Sequence, residues 1–365
     1  VDRMKQIIWK GFYSAGSGIS NATLAMVNSL KTTSMDFKIL PLKPVKIEGF
    51  EIATKEDEEN GFNILHQLPT VGPDLEGYYS VTEFDICPPE WWYSLINSKV
   101  LLTQSEFCKS SFKKIPGIDK SKIHVVNFPL ADNFTSEGAN MKARIKNAKS
   151  GMFLEDYDFV FGSVFEWVAR KKPELMWEAF MKAFPYKEFP GVAFINKISV
   201  PGGVPHSFRD WKSRLPRDPR IMVFREHMHN MGAFYRSLDG YCSPTAGEGW
   251  GATLAEAMAC GLPTIGSRHS GNLDFMNDTN SYLVDVGKWS HVGHDPVNVI
   301  PHIVHEYQRW KLPKVDSIVK AMKEIYDLKM SGKPNHKARL AIRVRGKLTY
   351  ENTGKQLEKA LTQYL

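Results

Sequence analysis

Glu248 and Glu256 stand eight positions apart inside one continuous run, residues 244–267, reading Pro-Thr-Ala-Gly-Glu-Gly-Trp-Gly-Ala-Thr-Leu-Ala-Glu-Ala-Met-Ala-Cys-Gly-Leu-Pro-Thr-Ile-Gly-Ser. The pattern predicts a strand end at Gly240–Ser243, a turn, the glycine-flanked Trp250, and a short helix from Ala252 to Cys260. Glycines just ahead of a helix let a ligand approach bare backbone, and the first helical N–H groups have no partner within the helix. That suits a phosphate. Two carboxylates carry the wrong charge for phosphate but accept hydrogen bonds from sugar and ribose hydroxyls. Together these groups point to a nucleotide-linked sugar. The plainer reading, a helix-surface glutamate and an ordinary turn, leaves most of so long a pattern unexplained.

Three further runs carry chemistry. Gly162-Ser163-Val164-Phe165-Glu166-Trp167-Val168-Ala169-Arg170-Lys171-Lys172-Pro173 puts three cations immediately before a helix that opens on proline. Alone, it reads as a basic loop. Gly16-Ser17-Gly18-Ile19-Ser20-Asn21 matches the first part of a dinucleotide fingerprint, but Asn21 stands where Gly or Ala is required, and a close-packed strand–helix turn explains it equally well. Tyr79 to Asp85, Pro88 to Trp92 and Thr103 to Phe107 form a run of acidic, proline and aromatic residues. Its Glu83-Phe84-Asp85 is not read as a metal motif.

Gly-Glu-Gly-Trp-Gly followed by Glu-Ala-Met-Ala-Cys-Gly-Leu-Pro resembles the donor-site signature of the retaining glycosyltransferases of family 4, which have the GT-B fold. Pro244-Thr245 stands where Pro-Ser is usual, and Trp250 where Phe is usual. Lys171 lies eight residues before Ala179, as the family lysine does, while Ser163 takes the place of the early arginine and Arg170 sits beside the lysine. The resemblance implies two Rossmann-like domains facing across a cleft, with a C-terminal helix crossing back to the first.

It also implies roles. Glu256 would accept from the ribose hydroxyls, and the amides of Gly249, Trp250, Gly251, Ala252 and Thr253 would hold sugar and phosphate oxygens. Glu248 would orient the sugar and support positive charge at its ring. Arg170 and Lys171 would neutralise the leaving diphosphate. Gly16, Ser17 and Gly18 would offer backbone N–H groups near the diphosphate and transferred sugar. The segment Arg225 to His229, with Met228 inside it, would read the base through its backbone. Ser270-Gly271-Asn272-Leu273-Asp274 stands where the family has Gly-Gly-x-x-Glu, and Glu83 or Asp85 where some members place a histidine.

The implied activity is transfer of a hexose, with retention and without a metal, from a nucleoside diphosphate sugar as co-substrate to a glycan or glycoconjugate. GDP-mannose leads as donor and UDP-glucose follows. The rivals are a sugar-nucleotide epimerase of the same fold and a non-catalytic sugar-nucleotide or glycan-binding protein.

The elements that must position these residues alternate strand, turn and helix, which argues for parallel sheets in an α/β protein. A chain of 365 residues accommodates two such domains. Strands are expected at Gln6–Gly11, Phe37–Leu40, Phe62–Gln67, Tyr78–Phe84, Val100–Thr103 and Ile123–Asn127, and again from Phe159 onward. The polar stretch 131–153 suggests a first, acceptor-side domain over 1–150 and a nucleotide-sugar domain over 151–348, with a returning helix over 349–365. Amphipathic helices are expected at Val297–Trp310, Val315–Lys329, His336–Lys347 and Glu351–Leu365.

The net charge of +7 is compatible with nucleic acid, a membrane surface or an anionic substrate. No nucleic-acid module signature accompanies it, so nucleic acid is not expected. Lys113, Lys114, Lys120 and Lys122 leave open a weak membrane-surface contact, and a homodimer is also left open. Four scattered cysteines without a C-x-x-C pair fit buried thiols and a cytoplasmic protein, peripheral to a membrane at most.

Overall fold

The structure, a computed structural model, describes residues 5–13, 18–69, 75–199, 211–226, 228, 230–293 and 302–365. Its contacts divide the chain into two compact units. One comprises Val1–Ala131, Pro301–Gln308 and Gly346–Leu365, and the other Asp132–Ile300 and Arg309–Arg345. Residues 132–150, which composition assigns to the first domain, pack with the second unit. Arg236 donates to the carbonyls of Ala139 and Thr135, and Lys142 pairs with Asp239 at 3.1 Å.

The first unit is built on a six-stranded sheet of β1 (Ile7–Gly11), β2 (Phe37–Pro41), β3 (Phe62–His66), β4 (Gly77–Ser80), β5 (Val100–Thr103) and β6 (Ile123–Val125), in the order β2-β1-β3-β4-β5-β6. Every pairing is parallel. The strands read as continuous apolar runs because helices cover both faces of such a sheet. The C-terminal helix Tyr350–Leu361 buries Leu357, Ala360 and Leu361 and packs on the helix Gly18–Leu30. Gly354 permits that approach, since a Cβ there would lie 2.8 Å from the carbonyl of Ser29. Gln356 also exchanges hydrogen bonds with Asn127, at 2.7 and 3.0 Å.

The second unit repeats the design with β7 (Phe159–Glu166), β8 (Val192–Ser199), β9 (Ile221–Phe224), β10 (Gly240–Ser243), β11 (Thr264–Ser267) and β12 (Tyr282–Val284), ordered β12-β11-β10-β7-β8-β9. Helix Pro173–Ala183 places Met176, Trp177, Ala179, Phe180 and Ala183 on one stripe. That stripe packs into a core with Phe161, Phe194 and the inward face of helix Val315–Met330, Ile318, Met322 and Ile325.

Two expectations need correction. The helix expected at Val297–Trp310 lies partly outside the described residues, and its described end is strand. Arg309–Pro313 forms β14, antiparallel to β13 (Val286–His291), with Trp310 opposite Ser290. Cross-strand pairing and Pro313 outweigh the local apolar spacing there. The helix expected at His336–Lys347 is two pieces, His336–Ala341 and Val344–Lys347.

Each sheet reverses its strand order once, between β1 and β3 in the first unit and between β7 and β10 in the second. In open parallel sheets, ligands bind outside the carboxyl ends of the strands at such a reversal.

Candidate functional site

The strands flanking the reversal in the second unit, β7 and β10, end in the two loops that the sequence singles out. After β7 the chain makes a single turn, Ala169–Lys171, and Lys172 then takes the left-handed conformation (φ 45°, ψ 51°) before Pro173 opens the next helix. A non-glycine residue there is strained, so the loop is held by its surroundings. Ala246 N–H donates to the Arg170 carbonyl at 2.8 Å, tying this loop to the one after β10. The Lys172 ammonium lies 4.1 Å from the centre of the Trp310 ring.

Three of the singled-out side chains meet here. Lys171 Nζ donates to Glu248 Oε1 at 2.6 Å, and Arg170 Nη1 donates to Glu248 Oε2 and to the Gly247 carbonyl, each at 3.1 Å. Glu248 and Lys171 are only 6% and 7% exposed, so the pairing is little screened. Burial alone would raise the Glu248 carboxyl, but Lys171 and Arg170 outweigh it and hold it below the usual carboxylate range. Glu248 is therefore held as the carboxylate between its two cationic partners.

The turn after β11 fixes the backbone of Glu248. Its N–H donates to Ser270 Oγ at 3.0 Å, and its carbonyl accepts from Gly271 N–H at 2.9 Å. Ser270 holds a positive φ of 74° to do so, and Asn272 Nδ2 braces the end of β11 through the Ser267 carbonyl at 2.8 Å. Sequence reasoning noted this run only as a departure from a family pattern. Its bracing role depends on residues that meet across 22 positions of chain.

Gly251 starts the helix Ala252–Ala259 in the left-handed region (φ 94°), without a side-chain cap. A Cβ there would meet Leu254 at 3.1 Å and Asn272 at 3.3 Å, so the backbone conformation favours glycine and the space beside it is tight. Ala252 is exposed and Thr253 half-buried, while Gly249, Trp250 and Gly251 just before them are buried. Trp250 is 4% exposed, its ring 4.9 Å from that of Phe275, so its side chain belongs to the core and it offers a ligand only backbone.

Glu256 sits on the same helix, partly exposed, accepting from the Tyr235 hydroxyl at 2.6 Å. Burial pushes its carboxyl up to about 7 against the pull of that hydrogen bond. Tyr235, on the helix Met231–Tyr235, was not singled out, and no local pattern marks it. Met228 is buried beside exposed Arg225 and Glu226. Gly16 and Ser17 lie outside the described residues, while Gly18 opens the helix Gly18–Leu30 in the first unit.

The other singled-out groups sit in the first unit. Asp85 is buried, and its carbonyl accepts from Lys114 Nζ at 2.7 Å. Ser105 caps the helix Glu106–Phe112 through Cys108 N–H, and Cys108 Sγ donates to the Thr82 carbonyl. Lys122 is buried and donates to the carbonyls of Ile96 and Ser98. Two of the four clustered lysines thus hold backbone of their own unit, while Lys113, Lys114 and Lys120 remain exposed. All four cysteines are buried free thiols. Among the described residues no group of three or more His, Cys, Asp or Glu could hold a metal, and no helix is long and apolar enough to cross a membrane.

Residues 167–292 match the family model described as glycosyl transferases group 1. The matched stretch contains Arg170, Lys171, Glu248 and Glu256. No match is found among curated proteins. Among solved structures, HepE from Anabaena in complex with UDP and glucose is 11% identical, with 98% of this chain and 100% of that one covered and a TM-score of 0.67. WaaG, described as a glycosyltransferase involved in lipopolysaccharide biosynthesis, is 11% identical over 97% of this chain and 99% of its own, with a TM-score of 0.65. Sucrose-phosphate synthase from Thermosynechococcus elongatus is 11% identical over 99% of each chain, with a TM-score of 0.65. The fold is GT-B. At such low identity these structures speak to architecture, and the GT-B fold is what they share with this chain from end to end.

Proposed function

We propose that this protein is a retaining glycosyltransferase that moves a hexose from a nucleoside diphosphate sugar to a hydroxyl of a glycan or glycoconjugate. The observation that carries the reading is the convergence of Arg170 and Lys171 on Glu248 at the strand-order reversal, beside an uncapped helix mouth.

The diphosphate would lie against the N–H groups of Gly249 to Thr253, where the helix dipole favours negative charge. Glu256 would accept from the ribose hydroxyls, and the backbone around Met228 would meet the base. As the bond from anomeric carbon to phosphate oxygen breaks, its electron pair passes to the diphosphate, where Arg170 and Lys171 stabilise it. The acceptor oxygen bonds to the anomeric carbon on the same face, and its proton goes to the departing phosphate oxygen. Glu248, held ionised between two cations, is poorly placed to take that proton. It instead keeps Arg170 and Lys171 in position and offers a negative field to the oxocarbenium-like ring.

GDP-mannose is the first donor to test and UDP-glucose the second; the complex of HepE with UDP-glucose makes the latter a direct comparison. Calorimetric titration with both, followed by nucleotide release in the presence and absence of EDTA, tests the reading. Binding of one donor and turnover unaffected by chelation are expected. Donor binding without transfer or hydrolysis would instead favour a binding protein, and interconversion of the donor sugar without acceptor an epimerase.

A further inference from the structure

The two carboxylates of the candidate site are held in opposite ways. Glu248 lies between two cations, whereas the Glu256 side chain has a single hydrogen-bond partner among the described residues, the Tyr235 hydroxyl at Oε2. A carboxylate accepts hydrogen bonds at about four positions, so most of the capacity of Glu256 remains for other donors. Burial and the Tyr235 hydrogen bond are what act on its titration, with no charged side chain among the causes. The titratable groups nearest to it, Tyr241 on β10 and Cys260 at the end of its own helix, are kept neutral by burial, which pushes the Cys260 thiol up to about 12.

Tyr235 is aimed by its surroundings. It is fully buried at the end of the helix Met231–Tyr235, which Asn230 caps by accepting from Ala233 N–H at 3.0 Å. Its ring meets Phe134 and Tyr241 edge-on, with centres 5.9 and 5.5 Å away. Packing on both sides leaves the ring one orientation and its hydroxyl one direction. Tyr241 does not compete for Glu256, since its own hydroxyl is engaged at Val164, whose N–H donates to it at 3.1 Å. A buried tyrosine needs only a carbonyl as partner, and a half-buried carboxylate is a costly one to ionise. Fixing the direction of that carboxylate matters to a ligand rather than to the fold.

We propose that Tyr235 is a positioning residue for the donor, holding Oε2 of Glu256 so that the carboxylate accepts from both hydroxyls of a ribose and selects ribonucleotides over 2′-deoxyribonucleotides. The proposal rests on the glycosyltransferase reading and adds the pentose of the donor. A carboxylate free to rotate can follow a single hydroxyl. One fixed at Oε2 suits a vicinal pair, and a nucleotide lacking one of them leaves a charged acceptor unfilled. Tyr235 also favours the ionised form, so losing its hydroxyl displaces the titration of Glu256 to higher pH.

The test uses the full chain and calorimetry with GDP, UDP and their 2′-deoxy forms across neutral and mildly alkaline pH. The parent is expected to bind the ribonucleotide it takes roughly tenfold or more tighter than the 2′-deoxy form. Tyr235→Phe keeps the packed ring, and melting confirms that it is folded. It should weaken binding near pH 7 roughly tenfold, narrow the ribose preference and move the rise of affinity with pH upward, with KM for the nucleotide sugar rising more than kcat falls. Added to Glu256→Ala, it should cause no further loss. Equal binding of both forms by the parent overturns the proposal, and that comparison decides alone if Tyr235→Phe does not fold. A folded Tyr235→Phe with parental affinity and pH profile also overturns it, as does an equal loss with and without Glu256, which would make Tyr235 a packing residue. Each of these leaves the transferase reading intact. If the parent binds no nucleotide or nucleotide sugar at any pH, the transferase reading fails and the proposal falls with it.

Discussion

Each of the two sheets reverses its strand order once, yet the residues at the two reversals differ in kind. In the second unit, Arg170, Lys171 and Glu248 form an ionised cluster. In the first, Trp9 on β1, His66 at the end of β3 and Tyr79 on β4 pack as rings. Trp9 and His66 are 5.9 Å apart between centres and His66 and Tyr79 4.6 Å, with Phe128 beside them. Burial drives His66 down to about 3, so it is a neutral ring at ordinary pH. Desolvation acts at both places. Where opposite charges are supplied, the group stays ionised; where only aromatic rings surround it, the group gives up its charge. Among the described residues, one reversal thus gathers charged side chains and the other aromatic rings.

That contrast can be broken by substitution and by pH. The largest effect is expected from Lys171→Ala, which leaves Glu248 buried with one cation fewer and the leaving group with less stabilisation. Transfer should fall roughly 100- to 1000-fold in nucleotide-release kinetics, and a near-parental rate would remove the cluster from catalysis.

His66 should make the first unit acid-sensitive. Its folded-state value lies below the ordinary 6.5, so the unfolded chain binds the proton more readily, and stability is lost as pH falls from 6.5 toward 3. Between pH 7 and pH 4 the parent should lose roughly 3 kcal/mol that His66→Leu keeps, read from urea unfolding at each pH. Glu256 has the opposite sign. Its folded value of about 7 lies above the ordinary 4.5, so its contribution is present below pH 4.5 and lost as pH rises through 7. Glu256→Gln should therefore gain roughly 3 kcal/mol on the parent between pH 5 and pH 8. On the proposed role of Glu256 as acceptor from the ribose hydroxyls, donor affinity of the parent should rise across the same window and that of the variant should not.

Backbone changes give smaller effects. Gly251→Ala forces a side chain into the left-handed region and should cost about 1–2 kcal/mol with weaker donor binding, measured by melting and calorimetry. Thr54→Ala removes the exposed capping box of the helix Lys55–Asn60 in the first unit and should cost about 1 kcal/mol, with transfer unchanged.

Much of the frame was legible because it is local. β5 and β10 run over the expected residues, and the motif helix ends one residue short of expectation. Continuous apolar runs bounded by glycine or proline leave little choice of element. The β13–β14 hairpin was not legible, since its strands are separated by 17 residues and its apolar spacing also fits a helix. Nor was the partnership of Tyr235 with Glu256, or of Ser270 with Glu248, since neither partner carries a local signal.

By itself the sequence determined the alternation of strand and helix and the residue types available for holding phosphate and hydroxyl groups. These follow from backbone sterics and side-chain chemistry, which act over a few neighbouring residues. Only the tertiary structure decided that Lys171 and Arg170 meet a carboxylate 77 and 78 positions away, and that Trp250 faces the core. It also decided that Glu256 titrates near neutrality. Charge state and contact depend on what surrounds a group in space, and that neighbourhood exists only once distant segments have packed.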